Sequence, residues 1–227
     1  MEKLKLWHIS DTHTFHNLLT IPDNIDIVIF SGDCSNPRDV YQNEKEVYNF
    51  LEWFKSLNIK YKIFIAGNHD TSIEKGLITK KQIESNNIIY LENEFVEIEN
   101  IKIWGSPFTP QFCNWAFMKD RSKLHKLWSI IPDDTDIIIV HGPPKGILDL
   151  SYNRKNELEF CGCSALAKRI RVIQPKLCLF GHIHNCENII NAGYTKHSDY
   201  DTIYSNGSVV TDGKFGKLSS NGNIFEI

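Results

Sequence analysis

A chain of 227 residues with 25 basic and 28 acidic side chains can bury a sizeable core in one large domain, and its near neutrality gives no electrostatic grip on nucleic acid or an anionic membrane. No apolar run approaches the roughly 18 residues needed to cross a bilayer, and Met1-Glu2-Lys3-Leu4 leads at once into a core strand, leaving no room for a signal peptide. Cys34, Cys113, Cys161, Cys163, Cys178 and Cys186 are scattered in a chain too large to need disulfides, so reduced thiols in a cytoplasmic protein are expected.

Leu4 to Ile9 and Ile25 to Phe30 are short, continuous apolar runs, which predict strands covered on both faces. Val47, Phe50, Leu51, Phe54 and Leu57 then recur at helical spacing with Glu44, Lys45, Glu52 and Lys55 opposite, as an amphipathic helix requires. Tyr61 to Ile65 is the next strand. Phe95 to Ile98 and Ile101 to Trp104 flank Glu99-Asn100 and read as a hairpin. Leu124, Leu127 and Trp128 predict a helix over Asp120 to Ile130, followed by a strand from Ile137 to Val140. A further helix spans Cys163 to Gln174, stopped by Pro175, and Cys161-Gly162-Cys163 reads as its small-residue start, since one intervening residue suits neither a zinc nor a redox pair. Leu177 to Phe180 is the last of the apolar strands. Thr202 to Tyr204 and Asn223 to Ile227, separated by turns at Gly213, Gly216 and Gly222, suggest with the hairpin a second, antiparallel sheet. Without a linker or repeat, residues 1–227 form a single domain.

Each continuous strand stops at a polar group: Asp11-Thr12-His13, Gly32-Asp33, Gly67-Asn68-His69-Asp70, His141 and Gly181-His182-Ile183-His184. The carboxyl ends of strands in an α/β sheet converge on one crevice, so these groups can share a site. Carboxylate, imidazole and amide oxygen together suit Mn, Fe or Zn, and a carboxylate can bridge two ions. Asp11, His13, Asp33, Asn68, His141, His182 and His184 supply that mixture without a cysteine. The spacing of His182 and His184 puts both on one face of an extended segment or splays them toward neighbouring ions in a turn. His8, His16, His125 and His197 show that one histidine alone carries little meaning here.

In this order, Asp-x-His, Gly-Asp, Gly-Asn-His-Asp, His-Gly and Gly-His-x-His resemble the calcineurin-like metallophosphoesterase superfamily over residues 6 to 208. Ile65 to Asp70, Gly105 to Pro110, His141-Gly142-Pro143-Pro144 with Gly146 and Asp149, Gly162-Cys163, Phe180 to His184 and Asn206-Gly207-Ser208 narrow the resemblance to the metallophosphoesterase-domain-containing (brain 239 protein) family. That family is similar to class III cyclic nucleotide phosphodiesterases. The resemblance implies an α/β fold in which a two-sheet β-sandwich is flanked by helices, the four-layer αββα arrangement. It implies one divalent metal held by Asp11, His13, Asp33 and His184, and a second held by Asp33, Asn68, His141 and His182, with Asp33 bridging. Mn, Fe, Zn, Ni and Co all suit these donors, with Mn favoured.

The implied reaction is phosphodiester hydrolysis by a hydroxide shared between the ions, with His69 as general acid. The rival reading of His69 is a hydrogen bond within its turn, and Asp70 either orients His69 or caps the segment that follows. Serine/threonine phosphatases of the superfamily carry Asp-Arg-Gly beginning three residues past the bridging Asp. Asn36 stands there instead, which disfavours a phosphoprotein phosphatase. Arg38 either reaches a phosphate or is solvated. Phe108, Phe112, Trp115 and Phe117 either stack a nucleobase or pack their loop onto the domain. The expected partner is thus a phosphate-ester small molecule, with nucleotides as candidates and the oligomeric state left open. The alternatives are a phosphomonoesterase or nuclease of the same fold and a nucleotide-binding or scaffold protein with little turnover.

Overall fold

The computed structural model describes residues 3–153, 155–197, 200–213 and 216–227. Met1 and Glu2, part of the expected approach to the first strand, lie outside the described residues. In chain order the strands are β1 (Lys5–Ile9), β2 (Ile27–Phe30), β3 (Tyr61–Phe64), β4 (Ile89–Tyr90), β5 (Glu94–Ile98), β6 (Ile101–Ser106), β7 (Thr109–Pro110), β8 (Met118–Lys119), β9 (Ile137–Val140), β10 (Leu150–Tyr152), β11 (Leu158–Phe160), β12 (Leu177–Phe180), β13 (Gly193–Lys196), β14 (Ile203–Asn206) and β15 (Asn223–Glu226). The helices are α1 (Val40–Ser56), α2 (Thr71–Glu74), α3 (Lys80–Glu84), α4 (Leu124–Trp128) and α5 (Ser164–Ile173).

Two sheets carry the fold. The first has the order β15-β1-β2-β3-β4, parallel except for β15 at its edge. The second has the order β13-β14-β12-β9-β6-β5, parallel in its centre with antiparallel β13 and β5 at its edges. Side chains alternate across each strand and sort the core into three layers. Leu6, Ile27, Ile29 and Ile63 from the first sheet meet Ile103, Ile137, Ile139, Leu177 and Leu179 from the second. Trp7, Ile9, Val28, Phe30 and Phe64 face the other way, onto Val47, Phe50, Leu51 and Phe54 of α1. Ile138, Val140, Cys178 and Phe180 turn outward onto Leu124 and Trp128 of α4 and Leu166 and Ile170 of α5. The result is the four-layer αββα sandwich, and burial on both faces is why the strands read as unbroken apolar runs.

Two expectations need correction. The second sheet is mixed and mainly parallel, for it contains β9 and β12, two of the apolar strands expected beside β1; β15 joins the first sheet instead, pairing antiparallel with β1. The helix expected over Asp120 to Ile130 is confined to Leu124–Trp128. Asp120 accepts from the Ser122 backbone at 2.8 Å, closing a local turn that competes with the first helical turn. The Phe95 hairpin forms as expected: Glu99 and Asn100 have φ of 49° and 63°, the paired left-handed residues of a tight two-residue turn. Cys163 caps α5, its sulfur accepting from the Leu166 N–H at 3.5 Å, in keeping with a helix start and not a metal pair. Among the described residues no helix is long and apolar enough to cross a membrane.

Candidate metal centre

The carboxyl ends of the parallel strands in both sheets meet at one edge of the sandwich. There the sheets are stitched together: the Ser10 N–H donates to the Gly207 carbonyl at 2.8 Å, and the Val209 N–H donates to the Ser10 carbonyl at 3.1 Å. Asp11 and His13 follow β1, Asp33 follows β2, Asn68 follows β3, His141 follows β9, and His182 and His184 follow β12. The chain bends sharply at these points. Asp11, His13, Asp33 and His182 have φ of 52°, 41°, 62° and 70°, a left-handed conformation that costs a non-glycine residue about 1 kcal/mol or more. Close backbone approach is enforced as well, since a Cβ on Gly181 would lie 2.0 Å from Asp11 Oδ2.

Two groups of donors result. Asp11, His13 and His184 offer ligand atoms within 4.8 Å of one another, as do Asp33, His141 and His182. His184 Nε2 lies 3.0 Å from Asp11 Oδ1, and His141 Nε2 lies 3.2 Å from Asp33 Oδ2. Asn68 joins the second group, its Oδ1 2.9 Å from His141 Nε2. His13 Nε2 stands between the groups, 4.0 Å from both Asp11 Oδ1 and Asp33 Oδ2. All seven residues expected as metal ligands therefore converge.

The surroundings aim these rings. His141 Nδ1 is 2.8 Å from the Ser31 carbonyl and His13 Nδ1 is 3.1 Å from the Ser35 carbonyl, so each Nδ1–H is engaged and Nε2 is presented to the centre. Burial works against the His141 cation, but the charge and hydrogen bond of Asp33 outweigh it and raise its pKa to about 9. Burial likewise opposes ionisation of Asp11, yet the His184 hydrogen bond and the imidazoles of His184, His141 and His13 hold its carboxyl well below the ordinary carboxylate range. Asp33 is depressed in the same way, His141 prevailing over burial. His13 and His182, with no such bonded carboxylate, are driven down by burial to about 4 and about 3.

A divalent cation fits this donor set on structural grounds. His13 Nε2 is buried without a hydrogen-bond partner among the described residues while facing two carboxylates, an arrangement that leaves a buried polar atom unsatisfied unless a cation takes its lone pair. Hard carboxylates with borderline imidazoles and one amide oxygen suit first-row divalent metals.

His69 sits at the rim. Its backbone N–H donates to Asp33 Oδ1 at 2.6 Å, its ring Nδ1 lies 3.2 Å from the Asn36 carbonyl, and its side chain lines the cleft over the centre. Asp70 is turned elsewhere. Its Oδ2 accepts from the N–H groups of Asp33 and Gly67 at 3.0 and 2.8 Å, and its Oδ1 accepts from Cys34 N–H and Ser35 Oγ at 3.1 and 2.8 Å. That carboxylate clamps the β2 and β3 loops together, and it supplies no side-chain cap to α2. Burial, then the charge of Asp33, pushes its pKa up.

Other contributors lie outside the donor motifs. Ser208 Oγ donates to Asp11 Oδ2 at 2.9 Å, and Asn43 Nδ2 donates to the His69 carbonyl at 2.7 Å while its Oδ1 accepts from the Ser72 N–H at 2.9 Å. Asn43 did leave a trace in the sequence: it falls on the apolar face of α1, in step with Val47, Phe50 and Phe54.

The cleft has a volume of about 970 Å³ and is lined by Asp33, Asn68, His182 and His184 over the donor groups and by His69 at its rim. Phe112 and Tyr152 are among its walls. The aromatic loop divides its labour: Phe117 is buried against Phe108, whereas Phe112 is exposed with its ring 5.4 Å from that of His182. Trp115 packs on His69, ring centroids 4.1 Å apart, and the Arg38 guanidinium carbon lies 3.9 Å over the indole.

Fold and donor set together define an αββα sandwich with a candidate metal centre at one edge. The model of a family described as calcineurin-like phosphoesterase matches residues 4–186, and the chain belongs to that family, whose members typically hold two divalent metals. The human "Metallophosphoesterase domain-containing protein 1" is 33% identical over 227 residues, covering 89% of this chain and 65% of the human protein. The Caenorhabditis elegans "UPF0046 protein K07C11.7" is 31% identical over 206 residues, covering 85% of this chain and 67% of its own. The chain thus matches about two thirds of the length of these curated relatives. Among solved structures, one chain superposes with a TM-score of 0.67 at 15% identity over 90% of both chains. TT1561 of Thermus thermophilus superposes with a TM-score of 0.59 at 14% identity, covering 90% of this chain and 88% of its own.

Proposed function

We propose that the protein is a phosphodiesterase that works with two divalent cations on small, nucleotide-sized diesters. Asp11, His13, Asp33 and His184 would hold one cation and Asp33, Asn68, His141 and His182 the other, with Asp33 shared and manganese the favoured ion. The carrying observation is that these donors, drawn from both sheets, meet beneath one open cleft with His69 at its rim. Bound cations supply charge neutralisation of the phosphate and a nucleophilic water at neutral pH.

The chain's own groups do the rest. Asp11 and Asp33, held ionised, would supply the two negative charges of the donor set. His69 gives its Nδ1–H to the Asn36 carbonyl, which leaves Nε2 to carry a proton to the departing oxygen. Phe112, exposed beside His182, offers a face on which a nucleobase stacks. A diester is favoured over a monoester by donor count: Arg121, a basic residue of the described lining, spends N–H groups on the carbonyls of Gly162 and Cys161 and so offers fewer donors to the additional oxyanion of a monoester.

The test is turnover of paired aryl phosphodiester and phosphomonoester substrates by Mn-loaded protein, with the diester expected to be faster; monoester preference would sink the diester assignment. His69→Ala is expected to lose about 100-fold or more in kcat on a diester with an alkoxide leaving group while keeping its metal, the contribution usual for general acid catalysis. Unchanged turnover of that substrate would remove His69 from the reaction.

A further inference from the structure

His69 is loosely held for a proton donor. Among the described residues its ring makes one hydrogen bond, to the Asn36 carbonyl at 3.2 Å, and the residue is half-buried at the mouth of an open cleft. A misplacement of about 1 Å at such a group can cost on the order of 100-fold in rate, so another contact has to fix its plane. Trp115 makes that contact, its indole 4.1 Å from the imidazole at an interplanar angle of 33°.

The loop that presents Trp115 is fastened for the purpose. Gln111 to Asn114 are exposed, but from Trp115 the chain docks on the His69 segment: the Ala116 N–H donates to the Asn68 carbonyl at 3.1 Å and the Phe117 N–H to Glu74 Oε1 at 2.7 Å. Arg38, exposed two residues beyond Asn36, lays its guanidinium 3.9 Å from the indole centroid, a cation–π contact that ties the same ring to the loop accepting the His69 Nδ1 bond. Trp115 does not line the cleft, although Phe112 of the same loop does. An aromatic residue that touches the proton donor and not the substrate space acts through that donor.

We propose that Trp115 is a positioning residue for His69, holding the imidazole in the orientation from which it protonates the leaving oxygen, with Arg38 securing the indole. The inference rests on the general-acid reading of His69 given above. It makes Arg38 part of the scaffold of the acid and not a phosphate ligand.

Two diesters sharing one retained group separate the possibilities, one releasing nitrophenolate, which needs no proton, and one releasing an alkoxide, which does. Trp115→Ala in the Mn-loaded full chain is expected to lose about tenfold in kcat on the alkoxide substrate and less than about twofold on the nitrophenolate one, with KM little changed. Trp115→Phe should restore most of the loss, and Trp115→Ala should add nothing in a His69→Ala background. Equal loss on both substrates, or further loss without His69, would overturn the proposal. Arg38→Met removes an exposed guanidinium at little risk to folding, and a smaller loss, about threefold and confined to the alkoxide substrate, is expected. A rise in KM on both substrates would instead make Arg38 a substrate contact and overturn its scaffold role. If His69→Ala itself spares the alkoxide substrate, the general-acid reading and this proposal fall together; if His69→Ala loses it and both Trp115→Ala and Arg38→Met do not, only this proposal falls.

Discussion

Asp70 and His13 are both buried polar residues within the Asp-His segments, yet their roles differ because of what their atoms meet. His13 Nε2 finds no hydrogen-bond partner among the described residues, while the Asp70 oxygens are saturated, chiefly by backbone N–H groups of the β2 and β3 loops. Asp70→Asn is nearly isosteric, but its amide nitrogen must confront either the Asp33 and Gly67 N–H groups or those of Cys34 and Ser35. A loss of about 2 kcal/mol in stability and weaker retention of divalent metal are expected, read by urea denaturation and by metal titration. An undiminished stability would show that the clamp is dispensable. The donors themselves were legible in the sequence because each is a metal-binding residue type placed where an apolar run stops. Asp70 and Ser208 were legible as members of Gly67-Asn68-His69-Asp70 and Asn206-Gly207-Ser208 but not in the parts they play, and Ser31 not at all, since those parts depend on long-range contacts that leave no local pattern.

At the level of elements, continuous apolar runs announced that a strand was covered on both faces without saying by what. Ile137 to Val140 and Leu177 to Phe180 look no different from Ile25 to Phe30, and only packing assigns them to the second sheet. Helix α5 was legible almost to the residue because both of its ends carry chemical stops, Cys163 as cap and Gln174 in a left-handed conformation before Pro175. Helix α1 was legible through its apolar stripe, whose centre is Phe50, with ring centroids 4.3 Å from Phe30, 5.3 Å from Phe54 and 5.5 Å from Phe64. Phe50→Ala should cost about 3–5 kcal/mol by leaving a cavity among these rings. Turnover per folded molecule should be little changed at low temperature, because Asn43, the residue of α1 that reaches the His69 loop, lies almost two turns away. Calorimetry and activity measured on the same sample check both halves of the expectation.

Across the whole molecule, His8 joins the sheets, with Nδ1 2.7 Å from Ser205 Oγ of the second sheet and Nε2 2.9 Å from Ser31 Oγ at the end of β2. Burial, opposed only in part by Asp11, lowers its pKa from 6.5 to about 3. Above pH 6.5 both folded and unfolded chains carry it neutral, and its contribution to stability is complete. As pH falls from 6.5 toward 3 the unfolded chain takes a proton that the folded one refuses, and stability drops by up to about 1.4 kcal/mol per pH unit. Urea midpoints between pH 7 and pH 4 should therefore fall more steeply for the native chain than for His8→Asn; parallel curves would show that His8 is not the group responsible. The seam that His8 spans also divides the metal donors. Asp11, His13, Asp33 and Asn68 belong to the first sheet and His141, His182 and His184 to the second, so each donor group borrows histidine from across the joint. Neither sheet holds a complete donor group. A chain caught with its sheets undocked has both groups divided, and the candidate centre assembles only with the closing of the sandwich.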